Sequence, residues 1–94
     1  MLFEIAREAF NVIEEYITDL ALQMGIKISK VSVVDGKTVG CSDAYLLRLY
    51  SKGKIVNALL YEAEINDIND KVQNDRLEIR IRSALSRLSL MLEP

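Results

Sequence analysis

The chain predicts an α+β fold in the order α-β-β-β-β-α: a helix, two antiparallel β-hairpins forming a four-stranded sheet, and a C-terminal helix, with the helices on one face. Three features carry that expectation. Residues 1–24 repeat apolar side chains at helical spacing. Two alternating apolar runs each fold back on a Gly-bearing turn, Asp35-Gly36 and Lys52-Gly53. From about Asp67 to Leu92 the helical period returns.

In the first helix Leu2, Ile5, Ala9, Ile13, Ile17, Leu20 and Met24 share a stripe opposite Glu4, Glu8, Asn11 and Glu15. Gly25 supplies the left-handed residue that commonly follows a helix end. Ile26 to Val34 is β-branched and alternating, and Lys37 to Cys41 forms the return strand. With Val34 opposite Lys37, Val31 and Val33 fall on one face; Lys30, Ser32, Val34, Lys37, Val39 and Cys41 fall on the other.

The second hairpin pairs Tyr50 with Ile55, Leu49 with Val56, Arg48 with Asn57, Leu47 with Ala58, Leu46 with Leu59 and Tyr45 with Leu60. Its core face is then Tyr45, Leu47, Leu49, Val56, Ala58 and Leu60, without a charge. Its mixed face is Leu46, Arg48, Tyr50, Ile55, Asn57, Leu59 and Tyr61. Short connections favour a meander of strand order 1-2-3-4. Residues 55–65 also fit a helical period, but their Tyr and β-branched content favours a strand.

Asn66 or Asp67 is suited to cap the last helix. Leu77, Ile81, Ala84, Leu85, Leu88 and Leu92 lie along it, and Glu78 and Arg82 stand at i,i+4. Residues 77–82 alternate as a strand would, yet no turn residue divides the segment, so one continuous helix is expected. This order of elements resembles that of double-stranded RNA-binding domains in topology. The basic cluster those domains carry at the start of their last helix is replaced here by acidic residues 66–75, with Lys71 the lone cation.

At 94 residues the chain is read as one domain, 1–94. Half of it is apolar and 28% is charged, too apolar for disorder and too charged for a membrane span. Glu4 and Glu8 stand where a signal peptide would be basic and then apolar, so a cytoplasmic location is expected. Histidine is absent, which removes the commonest general base and metal ligand. Cys41 is the one cysteine and has no obvious cation to activate it, and the acids of 62–75 lack the glycine of a calcium loop. No phosphate-binding glycine pattern occurs. The reading is therefore a non-enzyme, without cofactor or metal.

Net charge is −2 but unevenly placed: −4 over residues 1–25, +4 over 26–61, −4 over 62–75 and +2 over 76–94. The two mixed faces combine into the candidate binding surface: Lys30, Val34, Lys37, Val39, Leu46, Arg48, Tyr50, Ile55, Asn57, Leu59 and Tyr61, with no acid. Five aliphatics and two tyrosines favour a protein interface, first of all a homodimer. Single-stranded nucleic acid, stacking on the tyrosines, is the alternative partner. Another protein docked by the acidic helices is a third, and no membrane partner is expected.

Overall fold

The computed structural model describes residues 7–35 and 44–92. Its elements are α1 (Arg7–Gln23), β1 (Lys30–Asp35), β2 (Ala44–Ser51), β3 (Lys54–Tyr61), α2 (Glu62–Asn69) and α3 (Asp75–Leu92). The three strands form an antiparallel sheet in the order β1-β2-β3.

α1 ends as Gly25 predicts. At φ +73° it lets its own amide reach the Leu22 carbonyl at 3.0 Å and the Ile26 amide reach Ala21 at 2.8 Å. This pair of bonds satisfies helix-end carbonyls and tucks Ile26, 5% exposed, under the helix.

The β2–β3 hairpin has the register expected, from Tyr50↔Ile55 to Tyr45↔Leu60. Lys52 and Gly53 have φ of +49° and +79°, the pair of positive values that matches the turn to the right-handed twist of its strands. The four-stranded, two-hairpin sheet is not what forms. β1 pairs directly with β2, from Lys30↔Tyr50 to Asp35↔Tyr45, so no strand over 37–41 separates them. The Asp35-Gly36 turn and residues 37–41 lie outside the described residues.

The expected continuous C-terminal helix is two helices. Lys71 adopts φ +58°, and the Lys71 and Val72 amides return to the Ile68 and Asp67 carbonyls at 3.1 and 2.8 Å, repeating the α1 ending without a glycine. Asn66 and Asp67 lie inside α2 and do not cap it. Instead the Tyr61 amide donates to the Glu64 carboxylate at 2.9 Å, the reciprocal half of a capping box. Asn74 caps α3, its Oδ1 accepting from the Leu77 amide at 3.0 Å, while its Nδ2 donates to Asp67 at 2.8 Å. Within α3 the helical reading of 77–82 holds: Leu77, Ile81, Ala84, Leu85 and Leu88 are buried on one stripe.

One apolar cluster joins that stripe to Ile13, Ile17 and Leu20 of α1 and to Val31, Leu47, Leu49, Val56 and Leu60 of the sheet. α3 lies on β3, and α1 packs against α2 and α3. The helices therefore form one layer, and the opposite sheet face remains outside it. No described helix is long and apolar enough to cross a membrane.

Candidate functional site: the outer sheet face

Strand alternation sends Lys30, Ser32 and Val34 of β1, Leu46, Arg48 and Tyr50 of β2, and Ile55, Asn57, Leu59 and Tyr61 of β3 to the side away from the core cluster. The register sets them in rows across the sheet: Lys30–Tyr50–Ile55, Ser32–Arg48–Asn57 and Val34–Leu46–Leu59. Lys30, Arg48, Ile55, Asn57 and Tyr61 are exposed, whereas Val34, Leu46, Tyr50 and Leu59 are half-buried. No acid stands among the described residues of this face. Lys37 and Val39 lie outside the described residues; the other nine predicted face residues come together as read.

The tyrosines are not bare. Lys30 Nζ sits 5.5 Å from the centre of the Tyr50 ring, and the Arg80 guanidinium 5.2 Å from that of Tyr61. Each ring thus already has a cation on one of its faces.

Hairpin parity explains the β3 margin. A two-residue turn makes Ser51 and Lys54 a hydrogen-bonded pair, so the main-chain groups of Ile55, Asn57, Leu59 and Tyr61 point outward from the sheet. Arg87 Nη2 donates to the Asn57 carbonyl at 3.1 Å and Arg80 Nη1 to the Leu59 carbonyl at 3.4 Å. With Tyr61 bound to Glu64, α3 and α2 close most of an edge that would otherwise template another strand. Arg80 also pairs with Glu64 at 2.6 Å.

Three cations that the face reading missed, Lys27, Lys52 and Lys54, lie with Lys30 at the turn end. The Ser51 hydroxyl, buried, donates to the Lys27 carbonyl at 2.7 Å and brings Lys27 beside the hairpin. Lys27, Lys30, Lys52 and Lys54 are all exposed there, and none has an ion pair among the described residues. The proximity of Lys52 and Lys54 to Lys30 follows from the pairing of β1 with β2, not from the expected register, and that of Lys27 depends on the Ser51 bond.

The helical layer carries the opposite charge. A cleft of about 500 Å³ opens between α1, the Asp70–Asn74 connection and α3. Val12, Ile68 and Leu77 line it with Tyr16; Glu15, Asp19 and Glu78 stand around it, three acids against the one lining cation among the described residues, Lys71. Glu78 is paired with Arg82 at 3.0 Å; Glu15 and Asp19 have no ion pair among the described residues. Burial pushes the Tyr16 hydroxyl above the usual tyrosine range, with Glu78 adding to the rise and Arg82 opposing it.

No described residues form a group of three or more potential metal ligands, and no buried side-chain polar atom among them lacks a hydrogen-bond partner. Cys41 lies outside the described residues. Comparison with known proteins finds no matching family model, no matching curated protein and no matching solved structure.

Proposed function

We propose that this protein is a non-enzymatic interaction module that self-associates through its outer sheet face. One observation carries the reading: among the described residues a single chain presents a cationic, acid-free sheet face and, on the other layer, acids without ion pairs beside an apolar cleft. Complementary potentials of this kind steer association and set its orientation. Apolar contact supplies the rest. Ile55 is 46% exposed and Tyr61 38%, beside the half-buried Val34, Leu46 and Leu59. Covering an exposed aliphatic side chain completely is worth roughly 1.5–3 kcal/mol, so a few such groups support a modest interface.

Single-stranded nucleic acid is the less favoured partner. Bases stack on free aromatic faces, and a cation already covers one face of both Tyr50 and Tyr61. The overall negative charge also opposes a polyanion.

Sedimentation velocity from low to high micromolar concentration tests the proposal, with a rising mean mass expected. Ile55→Glu, at an exposed position, should lower that mass at unchanged far-UV circular dichroism. A wild-type chain that stays monomeric throughout would overturn self-association. Retention of single-stranded RNA or DNA on filters at low salt, lost at high salt, would transfer the face to the nucleic-acid reading.

A further inference from the structure

Resting on self-association, we infer that the contact is head-to-tail: the lysine-bearing β2–β3 turn of one copy enters the acid-rimmed cleft of a second copy. A two-fold pairing of sheet face on sheet face would bring Lys30 and Arg48 of both copies together with no described acid on either face to neutralise them. Desolvating like charges against one another is costly. The complement lies on the other layer, and the two surfaces differ in shape as well as in charge.

The turn is the convex partner. Lys52 and Lys54 are exposed and have no ion pair among the described residues. Ile55, next along β3, adds an exposed aliphatic group. The cleft is the concave partner, with Glu15 and Asp19 similarly unpaired and Val72 53% exposed at its lining. Its volume of about 500 Å³ falls within the ~300–1,000 Å³ typical of clefts that take ligands. Two lysines can meet two carboxylates while Ile55 covers Val72. Because such a pair still has one free cleft on the first copy and one free turn on the second, the contact propagates into a ring or an open chain.

A charge-swap experiment tests this on the full chain by sedimentation velocity. Variant one is Lys52→Glu with Lys54→Glu; variant two is Glu15→Lys with Asp19→Lys. All four positions are exposed, and circular dichroism checks that both variants fold. Each variant alone is expected to associate about a hundredfold more weakly than wild type, and an equimolar mixture to regain wild-type mass, since each reversed surface then meets its complement. If wild type assembles and the cleft variant assembles equally well, the head-to-tail mode is overturned while self-association stands. Two monomeric variants that stay monomeric when mixed also overturn it. A monomeric wild type removes the underlying reading and this inference with it.

Discussion

Replacing Arg80 with Met should destabilise the protein by about 2–3 kcal/mol, far more than the loss of a surface ion pair. The Glu64 side chain is only 9% exposed and holds two partners on one oxygen, the Tyr61 amide at 2.9 Å and Arg80 Nη1 at 2.6 Å. Arg80, at 32% exposure, also reaches the Leu59 carbonyl and lies over Tyr61. Breaking a fully buried pair from one side costs about 3–5 kcal/mol. Partial exposure of Arg80 lets water replace some of what is lost, which brings the figure down. Methionine keeps the apolar stem, so the loss reports the charge and its hydrogen bonds rather than packing. Glu64→Gln still accepts from Tyr61 and leaves Arg80 free to hydrate, so it should cost only about 1 kcal/mol. The double variant should cost less than the sum by about 1 kcal/mol or more. Urea unfolding of the four proteins measures that coupling, and the Arg80→Met midpoint temperature should fall by about 10–20 °C for a domain of this size. A loss below about 0.5 kcal/mol, or strict additivity, would show that this junction of β3, α2 and α3 is an ordinary solvated pair.

Three further outcomes follow from the same geometry. Asn74→Ala should cost about 1–2 kcal/mol in urea unfolding by removing the cap on the Leu77 amide and the bond to Asp67, and Asn74→Ser should recover part of it. Lys71→Gly should stabilise by about 0.5–1 kcal/mol, because φ +58° strains any residue with a Cβ; a loss of stability would show that the lysine side chain contributes there. Tyr16, whose folded hydroxyl titrates above the ordinary 10.0 chiefly through burial and then through Glu78, favours the fold fully below that pH and loses its contribution as pH rises through the folded value. Absorbance titration should find a late tyrosinate that Tyr16→Phe removes, and an unchanged alkaline unfolding curve in that variant would refute the assignment.

Local chemistry was enough for the parts in which one residue's conformation settles the outcome. Gly25 stops α1, Lys52-Gly53 sets the β2–β3 register, and the spacing of Leu77, Ile81, Leu85 and Leu88 outweighs the alternation of 77–82. That register in turn placed Leu46, Arg48, Tyr50, Ile55, Asn57, Leu59 and Tyr61 on one face, since side chains alternate along strands; Lys30 and Val34 join them through the pairing of β1 with β2.

Tertiary context decided the rest. The strands still run as a meander, but three of them rather than four, because β1 pairs directly with β2 and sets Val31 opposite Leu49 in the core; a local turn signal at Asp35-Gly36 does not report which strand becomes the neighbour. The helix break was hidden because Lys71 takes a left-handed position that glycine normally marks, and Asn74 acts as a cap only once Asp67 orients it. The cleft exists because of that break. Packing of α3 on the sheet brings Arg80 and Arg87 to β3 and Arg80 over Tyr61, while the pairing of β1 with β2 and the Ser51 bond bring Lys30 to Tyr50 and Lys27 to the turn.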